Sequence, residues 1–304
     1  MDVVSLFSGA GGMDRGFVRA GHKIIWANEW KEDACDSYEK ALHIRPVCKD
    51  VKTIEKFPSA DIVVACNPCQ GFSMIGLRNR NDSRNFLYKE IVRCLLAVQP
   101  KYFVTENVRG LKLLYNGEFF NRCISEYTEA GYNVSWRILN AKDYGVPQDR
   151  HRLFMVGIRK DLNWSFSFPE STHGPGKLPY VTLKESIGSL DPPKKGEYWE
   201  GDFPFFYMSR NRRRDWGDVS FTIQASGRHT PLHPSSPLMR KVSKDAWEFV
   251  GKEKEARRLS VKECAIIQTF DADDKFSGDL HSQYLQVGNA VPTQLAYNLA
   301  KCFK

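Results

Sequence analysis

The chain has 304 residues, 42% hydrophobic and 26% charged, a balance that excludes a wholly disordered or fibrous protein and suits one large or two modest domains with a sizeable core. Lysine and arginine number 44 against 36 acids, a net charge of +8, which is compatible with a polyanionic partner such as nucleic acid and also occurs in proteins that have none. Apolar runs such as 61–66 are far shorter than the about 18 residues a membrane span needs, so no transmembrane helix is expected.

The first 160 residues alternate between two hydrophobic patterns. Short apolar runs rich in β-branched and aromatic residues at 3–7, 23–27, 61–65, 101–105 and 152–158 have the length of buried strands. Between them, Phe86, Leu87, Ile91, Cys94, Leu95 and Val98 recur at helical spacing, as do Phe119, Phe120, Cys123, Ile124 and Tyr127. Strand–helix alternation of this kind predicts a mostly parallel sheet covered by helices on both faces, an α/β fold. The pattern breaks after about residue 168. Residues 169–256 are rich in Pro, Gly, Ser and charge, and predict a second, smaller, irregular domain. Helical spacing returns at Leu259, Val261, Ala265, Ile266, Ile267 and Phe270, and again over 290–302. The expected division is therefore 1–168 plus 257–304 as one discontinuous domain, and 169–256 as the other. Eight cysteines, at 35, 48, 66, 69, 94, 123, 264 and 302, are scattered through the chain. With no basic segment before the first apolar run, no signal peptide is expected, and the cysteines read as reduced thiols of a cytosolic protein.

Five local motifs carry chemistry. Phe7-Ser8-Gly9-Ala10-Gly11-Gly12 follows the first strand, where glycines let backbone approach a ligand closely. The next strand ends at Asn28-Glu29-Trp30, an acid able to bind ribose hydroxyls beside an aromatic able to stack on adenine. Asp14 stands where the dinucleotide fingerprint has its third glycine, which favours a phosphate-free nucleoside over a pyrophosphate. The alternative is a tight turn with a solvated Glu29. Asn67-Pro68-Cys69-Gln70-Gly71-Phe72-Ser73 leaves a strand where open α/β sheets bind ligands, so Cys69 is either an activated thiol or an inert one. Cys66 and Cys69 also form a C-x-x-C pair, which admits a redox reading, with Cys66 expected as buried packing. No second cysteine pair at ligand spacing supports zinc.

Glu106-Asn107-Val108 ends another strand; there Glu106 either donates a proton to a ring nitrogen beside Cys69 or is a solvated charge. In Gln148-Asp149-Arg150-His151-Arg152, alternation along a strand would point Arg150 and Arg152 the same way, to bind carbonyl or phosphate oxygens or to form surface ion pairs. Gly288-Asn289-Ala290-Val291-Pro292 precedes the last helix and by itself reads as a helix start.

In this order the five motifs resemble the DNA (cytosine-5)-methyltransferase family, from residue 3 to about 160 and again from Arg258 to Cys302, where Arg258-Leu-Ser-Val-Lys-Glu-Cys-Ala-Ile-Ile-Gln-Thr-Phe270 is similar to that family's penultimate motif. The resemblance implies a Rossmann-like S-adenosylmethionine-dependent catalytic domain with a small target-recognition domain. The stretches 208–216, 220–229 and 232–234 look like the recognition domain of restriction–modification enzymes that methylate the inner cytosine of GGCC.

The same resemblance implies roles. Cys69 adds to cytosine C6 and makes C5 nucleophilic. Glu106 supplies a proton or hydrogen bond at N3, and Arg152, with Arg150, binds O2 or holds Glu106. The base that removes the C5 proton is not assigned by the sequence. The ring is unreachable inside a duplex, so the cytosine flips out, and residues 70–84 form a closing loop with Gln70 and Ser73 as contacts. S-Adenosylmethionine is the cofactor, lined by Phe7, Gly9, Gly11 and Gly12, with Glu29 on the ribose, Trp30 on the adenine ring and Asp50 on its amino group. Pro68, Leu87, Asn289 and Val291 complete the pocket. Asn67 replaces a frequent proline of the family and implies a looser turn; Asn85 replaces a common glycine. Arg210, Arg212 and Arg214 are expected on DNA, through phosphates in the simplest case, and Arg228 on guanine O6 and N7.

Double-stranded DNA is thus the expected partner of a monomeric, cytoplasmic, bacterial-type enzyme associated with the nucleoid through DNA, with no metal and no membrane contact. A tRNA methyltransferase of the same fold and a non-catalytic nucleic-acid-binding module are the alternatives. The second leaves the cysteine, glutamate and arginine motifs unexplained.

Overall fold

The structure, a computed structural model, describes residues 1–68 and 86–303. Within them, β1 (Asp2–Leu6), β2 (Lys23–Glu29), β3 (Val47–Cys48), β4 (Ile62–Ala65), β5 (Tyr102–Val108), β6 (Tyr132–Asn140) and β7 (His151–Arg159) form one sheet in the order β3-β2-β1-β4-β5-β7-β6. The first five of these in space run parallel, and β7 is antiparallel to both β5 and β6. The chain moves outward from β1 to β3, then returns to β4 on the other side of β1. That reversal opens a crevice at the carboxyl ends of β1 and β4, where sheets of this kind bind ligands.

Helices α1 (Gly12–Arg19), α2 (Glu32–Leu42), α3 (Tyr88–Val98), α4 (Gly110–Leu113) and α5 (Glu118–Glu129) connect these strands. Alternation assigns the two faces. Val4, Leu6, Val63, Ala65, Phe103, Leu153 and Met155 share a core with Ile91, Cys94 and Leu95 of α3 and with Phe119, Phe120, Cys123 and Tyr127 of α5. On the other face, Ser5 meets α1 through Asp14, and Tyr102 meets the Phe303 ring at 5.5 Å. This is the Rossmann-like α/β architecture expected from the sequence. Two strands of this sheet were not anticipated: β3 is only two residues long, and the edge strand β6 mixes exposed Trp136 and Arg137 with buried Tyr132 and Leu139, which blurs its alternation.

Internal contacts divide the chain into two compact units, Met1–Asn140 with His151–Glu170 and Leu295–Lys304, and Ala141–Arg150 with Ser171–Gln294. The second unit contains α6 (Leu183–Ile187), the hairpin β8 (Leu238–Ser243) and β9 (Ala246–Val250), α7 (Val261–Ile267) and α8 (Leu280–Asn289). Thr182 with Glu185, and Ser260 with Glu263, form capping boxes that start α6 and α7. Leu183, Ile187 and Ile223 share one core with Leu259, Cys264, Ile267, Tyr284 and Val287. Division by contacts therefore groups 257–294 with the irregular segment, whereas division by motif groups it with the sheet. In the first unit, Ala296, Leu299 and Ala300 of α9 (Thr293–Ala300) are fully buried, and a Cβ on Gly16 of α1 would stand 2.4 Å from that of Ala296. Among the described residues no helix is long and apolar enough to cross a membrane.

Gly157 of β7 leaves room for Phe103, because a Cβ there would lie 1.9 Å from the ring. Gly157→Ala is expected to lower stability by about 1–3 kcal/mol through overpacking, read from the denaturation midpoint; an unchanged midpoint would contradict the packing described.

Candidate active site

The residues that the motifs single out in the first unit converge on the carboxyl edge of the parallel strands. β1 leads into Phe7 and the glycines, β2 ends at Glu29, β4 leads through Cys66 to Asn67 and Pro68, and β5 ends through Glu106. Because β7 runs the other way, its beginning lies at this edge, with Arg152 opposite Val108.

The turn after β1 holds left-handed backbone at Phe7 (φ 54°), Gly9 (φ 55°) and Gly11 (φ 84°). Glycine makes two of these three positions accessible without a Cβ penalty. Glu29 is buried, and its carboxylate organises the turn. Oε2 accepts from the Gly9 amide at 3.0 Å, and Oε1 accepts from the amides of Trp30 and Lys31 at 3.0 Å each. Burial pushes the Glu29 carboxyl up from its usual value, while these three amides and the Lys31 charge oppose the shift.

A carboxylate has about four acceptor positions, so Oε2 keeps one for a ligand hydroxyl. Nothing lies within 4 Å of the position of a Cβ on Gly9, Trp30 is 67% exposed beside the crevice, and the buried Ser8 hydroxyl has no partner among the described residues. These features fit a nucleoside: a hydroxyl acceptor, an exposed aromatic ring with Lys31 Nζ 5.7 Å from its centre, and open backbone. Asp50 is exposed just after β3, where its Oδ1 accepts from the Lys52 amide at 3.0 Å. Asn28 holds the carbonyls of Val47 and Lys49 at 2.8 and 2.9 Å and so ties that segment to β2. Pro68, the last residue described before 69–85, and Leu87, the second described after it, are half-buried. Cys69, Gln70, Ser73 and Asn85, with the proposed closing loop, lie outside the described residues.

Glu106 and Arg152 meet, with Arg152 Nε donating to Glu106 Oε1 at 2.8 Å and both side chains nearly buried. Burial pushes the Arg152 guanidinium down from its usual value, and the charge and hydrogen bond of Glu106 oppose that shift. Asn107, quoted in the sequence motif without a role, reaches back across the edge. Its Nδ2 donates to the Asn67 carbonyl at 3.4 Å and so holds the turn that the missing proline would have stiffened. The Cys66 thiol is pushed well above its usual value by burial and then by the charges of Glu106 and Asp14. A thiol so disfavoured as thiolate is a poor partner for redox exchange.

In the second unit, Arg150 is fully buried and spends its guanidinium on backbone, donating to the carbonyls of Ile223, Gly288 and Ala290 at 2.9, 2.8 and 2.9 Å. Gln148 and Gln268 extend this network. Gln148 Nε2 donates to Gln268 Oε1 at 2.8 Å, and Gln268 Nε2 donates to the Val287 carbonyl at 2.7 Å. The network fixes the segment bearing Asn289, which is exposed, and Val291, which is buried.

The arginines expected on DNA separate into two groups. Arg210 and Arg228 are exposed and make no side-chain hydrogen bond or ion pair with the described residues. Arg212 is buried, donates to the carbonyls of Tyr207 and His229, and is pushed down to about 10 by burial and by the charge of Arg210. Arg214 is half-buried with its guanidinium 4.1 Å from the Phe221 ring centre. Arg258, which only opens a motif in the sequence, is buried and donates to the carbonyls of Arg228, Gly201 and Asp202. With Tyr207, whose hydroxyl donates to the Thr230 carbonyl at 2.8 Å, it pins the turn that presents Arg228. No periodicity marks these supporting residues. Among the described residues no group of three or more His, Cys, Asp or Glu side chains is disposed to hold a metal ion.

The family described as C-5 cytosine-specific DNA methylase matches residues 1–304. A Type II methyltransferase of Lysinibacillus sphaericus is 44% identical over 99% of this chain and 80% of its own. Another, from Fusobacterium nucleatum, is 45% identical over 100% of this chain and 94% of its own. Among solved structures, a protein encoded within an E. coli prophage superposes with a TM-score of 0.73 at 20% identity, covering 99% of this chain and 97% of its own. DNMT2 of Spodoptera frugiperda superposes with a TM-score of 0.70 at 17% identity, covering 99% and 98%; identities this low speak for the fold alone.

Arg152→Met leaves the Glu106 carboxylate buried without its guanidinium and is expected to cost about 3–5 kcal/mol of stability. Adding Glu106→Gln is expected to recover part of that loss. A double-mutant cycle in denaturant that gives no coupling between the two sites would contradict the pair.

Proposed function

Since the chain belongs to the C-5 cytosine-specific DNA methylase family, we propose that it is the modification enzyme of a Type II restriction–modification system, methylating the inner cytosine of GGCC through a covalent bond from Cys69 to C6. Its broader activity is that of a DNA (cytosine-5)-methyltransferase using S-adenosylmethionine. The Glu106–Arg152 pair carries the mechanistic reading: a nearly buried acid fixed at 2.8 Å from a guanidinium, on the strand beside the one that leads to Cys69.

C5 of cytosine is a weak nucleophile. Addition of the Cys69 thiolate to C6 moves the ring electrons toward N3 and O2 and makes C5 electron-rich. Glu106 delivers a proton to N3, and Arg152 holds Glu106 in place and stabilises charge at O2. S-Adenosylmethionine supplies an electrophilic methyl group on sulfonium. Glu29 would hold its ribose, with Trp30 and Asp50 on the adenine, and Phe7, Gly9, Gly11, Gly12, Pro68, Leu87, Asn289 and Val291 around them. A base then removes the C5 proton, the C6–sulfur bond breaks to return the thiolate, and N3 gives its proton back to Glu106. Arg150 acts by fixing the segment of Asn289 and Val291. Residues 70–84 close over the flipped cytosine, with Gln70 and Ser73 in contact.

Target recognition belongs to residues 169–256, and catalysis to 1–168 with 257–304. Arg210 and Arg228 reach DNA, Arg228 reads guanine, Arg212 supports the turn that carries it, and Arg214 follows the backbone. The relatives named as Type II methyltransferases favour DNA over tRNA. The protein acts as a monomer in a bacterial cytoplasm, associated with the nucleoid through DNA.

A GGCC duplex with 5-fluorocytosine as the inner cytosine tests the chemistry, because fluorine cannot leave as a proton and the adduct is trapped. A complex stable to denaturant is expected with S-adenosylmethionine present, and none with Cys69→Ala. Absence of an adduct from protein that methylates the ordinary duplex would overturn the covalent route, and bisulfite mapping to another site would overturn GGCC.

A further inference from the structure

The buried acid Asp14 has no part in the chemistry above. It lies in the first turn of α1 and is 1% exposed. Its Oδ1 accepts from the Ser5 hydroxyl at 2.8 Å, and its Oδ2 accepts from the Tyr38 hydroxyl at 2.7 Å. Ser5 is on β1, before the glycine turn, and Asp14 is just after it, so the first bond closes the turn like a clasp. Tyr38 is on α2, the helix that follows Glu29 and Trp30. Its ring also backs the turn directly, since a Cβ on Gly11 would stand 3.1 Å from Tyr38 Cδ2.

A turn with three left-handed residues in five has little intrinsic preference for one shape. Three elements converge on one carboxylate that accepts from two of them, and that carboxylate joins the glycine wall of the cofactor crevice to the helix behind its ribose and adenine wall. We propose that Asp14 is a positioning residue for S-adenosylmethionine, holding the 7–12 turn against α2 through Ser5 and Tyr38, and that it does so as the carboxylate. This rests on the cofactor reading of the crevice and goes beyond it by assigning cofactor affinity to a residue that does not line it.

Burial raises the Asp14 carboxyl to about 6, against the lowering effect of the Tyr38 and Ser5 hydrogen bonds. The charged and titratable groups around it are few. Tyr38 faces it from α2 and is itself pushed well up, chiefly by burial and then by Asp14; Arg15 on α1 opposes that shift. Cys66, after β4, feels both Asp14 and Glu106. β1 contributes the neutral Ser5. Below the Asp14 midpoint the carboxyl is neutral, and one oxygen becomes a donor that competes with the two hydroxyls. Cofactor affinity therefore falls as pH drops through about 6. Removing the Tyr38 hydroxyl takes away a hydrogen bond to the charged form and moves that midpoint upward.

Titration calorimetry with S-adenosylmethionine on the full chain, from pH 5 to 8, tests this. At pH 7.5 Asp14→Asn is expected to bind about tenfold more weakly, the loss of one hydrogen bond to a charged group, with turnover at saturating cofactor within about twofold of the parent. Its affinity is expected to be flat across the acid range. Tyr38→Phe, the conservative variant, is expected to keep an acid limb with its midpoint displaced to higher pH. Parent-like affinity in Asp14→Asn, or an unmoved midpoint in Tyr38→Phe, overturns the proposal. Failure of the parent protein to bind the cofactor would instead overturn the crevice reading.

Discussion

A carboxylate at the end of a buried strand cannot remain there unpaired, and the arrangement of this sheet edge follows from that constraint. Glu106 is nearly buried at the end of β5, and Arg152 satisfies it only because β7 enters the sheet against the direction of β5. Had β7 run parallel, its first residues would stand at the opposite edge. The antiparallel strand thus turns a liability of burial into a fixed acid. The same bond opposes the desolvation of the guanidinium, which is nevertheless held below its usual value.

Much of this was legible in the residues. β1, β2, β4, β5 and β7 are apolar runs with β-branched enrichment, and burial on two faces is what produces such runs. The glycine turn was legible because its left-handed backbone limits the residue choice at Gly9 and Gly11. β3 and β6 were not legible: a two-residue strand has no period, and an edge strand shares its faces between core and water. The roles of the basic residues were harder still. Arg150, Arg152, Arg212 and Arg258 are one residue type, and only geometry separates Arg152 on a carboxylate from the others on backbone carbonyls.

That separation matters for the basic cluster of the second unit. Arg212 and Arg258 are buried and are lowered chiefly by desolvation. Carbonyl dipoles and the rings of Phe203 and Tyr207 take the place of carboxylates around them. Exposed Arg210 and Arg228 sit above this frame. A turn held by several backbone carbonyls can present a guanidinium in one direction, which a bidentate contact with a base edge requires.

The first unit also has an unusual order of assembly. Its helix α1 and the turn after it are packed by residues 300–303: His22 Nε2 lies 3.1 Å from the Ala300 carbonyl, and the Phe17 and Phe303 ring centres are 5.9 Å apart. On the ribosome these partners emerge after residues 171–294 of the second unit. The contacts that residues 300–303 make with α1 and the turn after it can therefore form only once the intervening second unit has been synthesised.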